Sequence, residues 1–568
     1  MMTSRGPGKV ESIGDTRSAG LRAADWRFLL PKSPHQKFGR LVLLGGPQGL
    51  AQLLLEFGLA EQVLDDLPPD KSADAVIVLY DAKAMLPEVA ECLVAGGVLY
   101  FEIDRRSRGY LASAPSRVRR SLHAAGLSRV VFYSVVPGFA NHQMYLPLDV
   151  PGALKWYVKT LYHSFTPRQY LLRTCLSAVT RLDGRRFTPF APRLAVTAVA
   201  GDVQPGAPSV LQLSKLPLEL RGNDLTPLVL TSGGDRVVVL PFSSEGSQPA
   251  AVLKVPRLPG FNGRTENEQA TLQALWTGTD PEIHSAIPQS LGTVRYREVT
   301  VGIESYAGGQ PLSRSSGRWG ASESERVSDL RVAAAWLAEF HERTQRGRPP
   351  WSASEFAQWV EGPLTAYCEA FGVTAEEERL FAEIRQYATS LTGIPFPIVI
   401  QHRDYTIWNI FRDGRELRVL DWEGSRPGPA LCDLLHFVTH WYEAVNHAHS
   451  EAAKQRCFEL LFGFTPGDAY SGAVSEVIAS YMHRLTMDRR FLPLLLVYTW
   501  VELGLRRLDQ QRVQGGIGYD VREGNRYLPF LTILAQSAER LFRPVVHSGA
   551  PTNAPVYSDQ IQELDSFR

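Results

Sequence analysis

The stretch "QHRDYTIWNIF", residues 401–411, sets a carboxylate, Asp404, five residues before an amide, Asn409, just after the apolar run "IPFPIVI". A second carboxylate, Asp421, ends the apolar segment of "LRVLDWEG", 17 residues beyond Asp404. A turn between Asp404 and Asn409 folds both side chains into one cleft. There the first can accept a hydroxyl proton and the second can hold a hard cation through oxygen. Asp421, at the end of a buried strand, is placed to hold the same cation. Phosphoryl transfer from a nucleotide needs such a base and such metal ligands, together with a cation on the phosphates. Lys254, in the apolar "AAVLKVPR", supplies that cation. Glu268, fourteen residues on in "ENEQATLQAL", supplies a helix carboxylate to hold it. The turn in "LTSGGDRVVVL" offers Gly233 and Gly234 to close over the phosphates. In "IESYAGGQPL", backbone groups from Glu304 to Tyr306 would address the adenine of ATP.

Elements that could position these residues are legible around them. From about 215, β-branched runs alternate with Gly/Ser turns, the pattern of an antiparallel meander. "RTENEQATLQALW" then reads as a helix and "VTVGIESYAGG" as a strand. "SDLRVAAAWLAEFHERTQ", "LCDLLHFVTHWYEAV" and the long stretch 474–510 carry apolar residues at helical intervals. An antiparallel lobe followed by a helical lobe is expected, at 215–312 and 313–545, with the cleft between them and a tail over 546–568.

Taken in order, these motifs resemble the aminoglycoside phosphotransferase and choline kinase family, small-molecule kinases with the two-lobed protein-kinase-like fold. The resemblance rests on "VLKV" with Lys254, "ExxxLxxL" from Glu268, "AWLAEFHERT" around His341, "HRDYTIWNIF" and "VLDWEGSRPGPALCDLLHF". It implies ATP and Mg²⁺ as cofactors, Asp404 as base and Asn409 and Asp421 as metal ligands. It also gives Asp433 a structural role in positioning the loop. Arg403 stands where the family usually has glycine, and the phosphate-covering turn has fewer glycines than a G-x-G-x-x-G loop. The short path from Asp421 to the next helix leaves no room for an activation segment, so the acceptor is expected to be a hydroxyl of a small molecule: a sugar, aminoglycoside or amino alcohol. A pseudokinase or scaffold is the alternative. His402 and His341 read as structural, Tyr405 and Trp408 as packing, and Glu423 as either a support of the metal site or an exposed acid.

Residues 36–210 have a different rhythm. "LVLLGGPQG" with a following helix, "ADAVIVLYDA" and "LVAGGVLYFEID" suggest a parallel, Rossmann-like α/β sheet. The last of these resembles the segment before the fifth strand of class I S-adenosylmethionine-dependent methyltransferases. Asp65, about twenty residues beyond Gly45, stands where a ribose-binding carboxylate would fall. Only six residues separate "VLDD" from "ADAVIVL", so the sheet is expected to be shortened by a strand and a helix. An active S-adenosylmethionine site would make the protein bifunctional; a degenerate binding domain is the other expectation. "RRSRGYLASAPSRVRR" gathers six arginines in 16 residues, either to grip a polyanion or as a solvated face.

The fold class expected is therefore multidomain: a flexible arm over 1–35, a shortened methyltransferase-like α/β domain, then the kinase-like α+β lobes. With 60 Lys plus Arg against 59 Asp plus Glu among 568 residues, no net field steers the chain to nucleic acid. The five cysteines show no C-x-x-C spacing, which fits a reducing cytoplasm. "FLPLLLVYTWVELGL" is short for a bilayer span and contains Glu502, so it reads as a buried helix. Nothing in the sequence fixes an oligomeric state.

Overall fold

The computed structural model describes residues 21–542, apart from 32–35, 81–85, 109–113, 140, 163, 183–190, 202–208, 213–224, 415, 463–466, 514–520 and 523. Residues 202–208 and the expected tail 546–568 lie outside these residues.

Twelve strands form one sheet. In chain order they are β1 (Phe38–Leu44), β2 (Ala60–Leu64), β3 (Ala73–Val78), β4 (Leu93–Asp104), β5 (Leu127–Val136), β6 (Met144–Pro147), β7 (Arg193–Ala200), β8 (Leu225–Leu230), β9 (Arg236–Ser243), β10 (Val252–Pro256), β11 (Ser290–Tyr296) and β12 (Val299–Glu304). Their spatial order is β11-β12-β10-β9-β8-β6-β5-β7-β4-β3-β1-β2.

At one end β2, β1, β3 and β4 are mutually parallel, with α1 (Leu50–Glu56) and α2 (Leu86–Cys92) in the crossovers. The central strand β3 is buried along most of its length, as a parallel sheet covered on both faces requires. β7 lies antiparallel between β4 and β5. Only residues 65–72 separate β2 from β3, with neither a strand nor a helix between them.

The sheet does not stop where the sequence changes character. β6 pairs antiparallel with β8, Met144 opposite Leu230 and Tyr145 opposite Val229, so the first region runs directly into the second. β6 is buried at every position, so its edge could not be left open to water. One apolar cluster spans the junction, joining Tyr100, Tyr133 and Tyr145 to Val229, Val237, Leu253 and Val301. The meander β8–β9–β10–β12–β11 then carries α6 (Asn262–Gly278) against β12 and β11.

The expectation of a flexible arm over 1–35 is corrected for its described end. Residues 25–29, "DWRFL", form a buried turn of 3-10 helix. Trp26, Phe28 and Leu29 enter the shared core. Asp25, 0% exposed, takes a hydrogen bond of 2.6 Å from Arg257 at the end of β10. The polar residues on either side masked a short apolar anchor.

The remaining chain is mainly helical. The helices used below are α3 (Pro115–Ala124), α4 (Pro151–Thr160) and α5 (Pro167–Leu182) from the first region. From the second come α7 (Leu312–Ser316), α8 (Glu323–Arg343), α9 (Cys432–Val445), α10 (Ala469–Arg484), α11 (Phe491–Val513) and α12 (Leu528–Gln536). α8 opens on a capping box, Ser322 with Glu325, which satisfies two otherwise orphaned backbone donors. The stretch 474–510 is two helices rather than one: the chain breaks after Leu485, with Thr486 at φ 46. Two small sheets, β13 (Gln310–Pro311) with β15 (Ile410–Asp413) and β16 (Glu416–Val419), and β14 (Ile398–Gln401) with β17 (Arg426–Pro429), frame the loop at 402–409. Among the described residues no helix is long and apolar enough to cross a membrane.

Candidate active site

Strand alternation decides what faces the cleft. Lys254 pairs with Val238 on β9 and with Gly302 on β12, and Val252 pairs with Glu304. Lys254, Val252, Val238 and Glu304 thus share one face of the sheet. Lys254 Nζ forms an ion pair with Glu268 of α6 and lies 3.1 Å from Glu304 and 3.8 Å from Asp421. Burial opposes the ammonium charge, but Glu268, Glu304 and Asp421 together hold its pKa above the ordinary lysine value. Burial, helped by repulsion from Glu268, pushes the Glu304 carboxyl up to about 7 against the pull of Lys254. Glu304 therefore turns its side chain into the charged cluster, where the sequence suggested only backbone contacts.

The loop after β14 is held from beneath. Asp433, the second residue of α9, accepts from the backbone N–H of His402 at 2.6 Å and of Arg403 at 2.7 Å. His341 Nε2 stands 3.4 Å from the same carboxylate, and His341 Nδ1 bonds Tyr481 at 2.6 Å. His402 bonds the backbone on both sides, the Leu420 carbonyl at 2.9 Å and the Asp404 N–H at 3.2 Å, and burial keeps its pKa below the usual value. These contacts hold Arg403 at φ 65 and Asp421 at φ 73, left-handed conformations that a non-glycine residue adopts only when its surroundings over-determine it.

The loop brings its polar pair together. Asn409 Nδ2 donates to the Asp404 carbonyl at 3.0 Å and to Asp404 Oδ2 at 2.8 Å. Leu420 N–H donates to the Asn409 carbonyl at 2.8 Å, which fixes Asp421 beside the pair. The Trp422 N–H donates to Glu268 at 2.9 Å and closes the circuit to Lys254. Asp404, Asn409, Asp421, Lys254 and Glu268 thus belong to one connected site.

Arg236, the first residue of β9, was not singled out in the sequence. It pairs with Asp421, with Glu268 at 3.1 Å and with Glu423 at 3.0 Å, and is 11% exposed. Its place two residues after Gly234, at the start of an inward-facing strand, was the signal available. Burial works against the charge of Asp421, but Arg236 and Lys254 hold its carboxyl well below the usual range. Burial, with repulsion from Asp421, raises the Glu423 carboxyl to about 7 despite Arg236. Glu423 is therefore a largely enclosed member of the cluster rather than an exposed acid.

The cluster gathers Lys254, Arg236 and Arg264 against Glu268, Glu304, Asp421, Glu423 and Asp235, an excess of two carboxylates. That excess suits a divalent cation. Among the described residues no three His, Cys, Asp or Glu side chains form a ready metal cage. A Mg²⁺ ion held by one or two protein oxygens and completed by phosphates needs none.

The other expected residues lie as follows. The Gly233 carbonyl accepts from Arg257, and Gly234 adjoins Asp235, which pairs with Arg264 of α6 at 2.5 Å. Tyr306 is met from the first region: Trp156 Nε1 of α4 donates to its hydroxyl at 2.7 Å and packs edge-on against Phe242 of β9. Tyr405 is buried with its hydroxyl on the Ala333 carbonyl, as a packing residue should be. Trp408 is not buried packing; it is 47% exposed beside Asn409.

In the first region Gly45 and Gly46 follow β1 at φ 83 and 103, and the Leu79 side chain fills the space a Gly46 side chain would need. Asp65 is exposed just past β2. The arginine-rich stretch is not one solvated face. Arg105 is buried on the Ala191 carbonyl, and Arg119 pairs with Asp149 at 2.7 Å.

Residues 242–463 match the model of the phosphotransferase enzyme family. No curated protein matches the chain. Among solved structures, a microcompartment-associated aminopropanol kinase is similar at 16% identity, over 57% of this chain and 95% of that one, with a TM-score of 0.35. The choline kinase LicA from Streptococcus pneumoniae follows at 12% identity, covering 54% and 90%, TM-score 0.33. A choline/ethanolamine kinase family protein from Mesorhizobium loti follows at 13%, covering 59% and 93%, TM-score 0.32. Over residues 242–463 this chain is therefore similar to the phosphotransferase enzyme family.

Proposed function

We propose that the protein is an ATP- and Mg²⁺-dependent phosphotransferase that moves the γ-phosphate to a hydroxyl of a small molecule. The observation that carries this reading is the hydrogen bond from Asn409 Nδ2 to Asp404 Oδ2, joined through Leu420 to Asp421 and through Trp422 to the Lys254–Glu268 pair. With Oδ2 of Asp404 engaged by the amide, Oδ1 is the atom left to receive the acceptor's proton. With its Nδ2 committed to Asp404, Asn409 has its Oδ1 free to hold the metal together with Asp421. Lys254, fixed by Glu268, binds phosphate, and Gly233 and Gly234 cover it. Mg²⁺, when bound, neutralises charge on the phosphates. Every other task here falls to side chains and backbone of the chain. The adenine lies near Glu304 to Tyr306, beside Trp156.

The acceptor is of the sugar, aminoglycoside or amino alcohol class, and the protein works in the cytoplasm. The first region is a shortened methyltransferase-like domain. Its order β2-β1-β3-β4-β7-β5, with an antiparallel strand set between two of the others and nothing between β2 and β3, supports that reading. Its role is to brace the nucleotide-binding sheet through β6 and α4.

A second reading, a non-catalytic scaffold, is favoured by one observation: Arg236 already neutralises Asp421. A thermal-shift series with ATP and Mg²⁺, and separately with S-adenosylmethionine, separates the two. A metal-dependent shift with ATP supports the phosphotransferase, and its absence supports the scaffold. A shift with S-adenosylmethionine would make the first region a second active site.

A further inference from the structure

Where the first region meets the helical lobe, several polar groups are buried with nothing to bond. Arg314, in α7, is 2% exposed, and its Nε and both terminal nitrogens have no hydrogen-bond partner. Among the described residues it has no ion pair. The hydroxyls of Ser313 and Ser164 are buried and unpartnered as well.

These residues share one junction. The Trp319 N–H donates to the Ser164 carbonyl at 3.0 Å. Gly317 touches both the Phe165 ring and the Ser313 carbonyl, so closely that a side chain there would meet each within 3 Å. Tyr170 of α5 packs against Trp319 with ring centroids 6.0 Å apart. More positive charge gathers at the same place. Arg173 of α5 is near enough to Arg314 to depress its pKa, after burial, to about 9, and Arg173 is itself lowered by burial and by Arg318. Among the described residues, only Arg318 of these three arginines has a carboxylate partner, Glu325 at 3.3 Å.

A buried guanidinium without a counter-ion is costly, and two like charges beside it raise the cost. Every orphaned group at the junction is a hydrogen-bond donor, and a guanidinium fork with hydroxyls matches the oxygens of phosphate or carboxylate. We propose that Arg314, Ser313 and Ser164, with Arg173 beside them, form a binding site for an oxyanion, separate from the nucleotide cleft. The site lies one residue from the 402–409 loop's own support: the Ser313 N–H donates to the Ile407 carbonyl at 2.9 Å, two residues before Asn409. An anion bound there orders the loop's flank and locks α5 against α7. The site does not depend on the phosphotransferase reading, because its test is binding alone.

The test is thermal unfolding of the full chain with inorganic phosphate, against chloride at matched ionic strength, for wild type, Arg314→Met and Arg173→Ala. Wild type should gain a saturable upward shift with phosphate. Arg314→Met should lose that shift and, in chloride, melt above wild type, because an unpaired buried charge has been removed. Arg173→Ala, at a half-exposed position, should keep the shift but need roughly tenfold more phosphate to reach it. Glucose 6-phosphate forms a second arm: half-saturation at least tenfold lower than with phosphate assigns the site to an organic phosphate, and equal values assign it to the free ion. A phosphate shift that persists in Arg314→Met comes from the nucleotide cleft and overturns the proposal. So does an Arg314→Met variant that melts below wild type in chloride, or a wild type with no shift.

Discussion

Arg236 and Asp421 form an ion pair that bridges the sheet and the helical lobe, and it places a guanidinium on the carboxylate expected to hold the metal. The same arginine contacts Glu268 at 3.1 Å, so one cation links the partner of Lys254 to the carboxylate proposed to hold the metal. A metal held by Asp421 would compete with that cation, and phosphate is a group toward which the guanidinium could turn.

Arg236→Met should therefore bind metal more tightly and metal-free nucleotide more weakly, each by roughly tenfold, since a cation that competes with the first and attracts the second has gone. Calorimetric titration of Mn²⁺, and of ATP with a chelator present, would measure both. Unchanged affinities would show that the pair is only a strut between the lobes.

Asp404→Asn should lower kcat by 10²-fold or more, on the order of what a positioned general base contributes, and leave Mg²⁺-ATP affinity within about twofold. The comparison needs single-turnover ADP formation with a hydroxyl acceptor present, together with equilibrium nucleotide binding. Full activity in this variant would move the base elsewhere.

Stability should respond to pH through Glu304. Its carboxyl, at about 7 in the folded protein, lies above its ordinary value. As pH rises from about 4.5 to 7, the unfolded chain ionises first, so stability is present below that window and lost across it. Glu304→Gln should match wild type in stability at pH 5 and exceed it at pH 8, by on the order of 1–3 kcal/mol. Chemical denaturation at the two pH values reads this out; a constant difference would mean that the neighbouring charges cancel the effect.

The buried segment at 25–29 ties the N-terminus to β10 through Asp25 and Arg257. Arg257 is fully buried in its side chain, and burial alone would raise the Asp25 carboxyl, yet Arg257 and its neighbours hold it down to about 2. Arg257→Met would strand that carboxylate and should cost about 3–5 kcal/mol, whereas the double variant Asp25→Asn with Arg257→Met should recover part of it. Urea midpoints compare the three proteins.

Much of the candidate site's geometry was legible because its residues are local in sequence. Asp404 and Asn409 lie five residues apart on one loop, and Lys254 and Asp421 each end or interrupt an apolar strand. Glu268 followed from helical spacing. The long-range features were not legible. Nothing in "MYLP" announces that it pairs with "LTPLVL" some eighty residues later, so the two regions read as separate although one sheet runs through both. "DWRFL" was hidden by polar flanks. Arg236 looked like any strand-edge arginine until the fold brought three carboxylates to it, and Trp156 met Tyr306 only through β6.

The most direct test is calorimetric titration of a non-hydrolysable ATP analogue into wild type and Asp421→Ala, each with and without Mg²⁺. If two carboxyl-bearing lobes close on a metal-bound triphosphate, wild type binds several-fold tighter with Mg²⁺ than without, and Asp421→Ala loses only that metal-dependent gain. No binding by wild type, or the same Mg²⁺ gain in both proteins, would contradict the account.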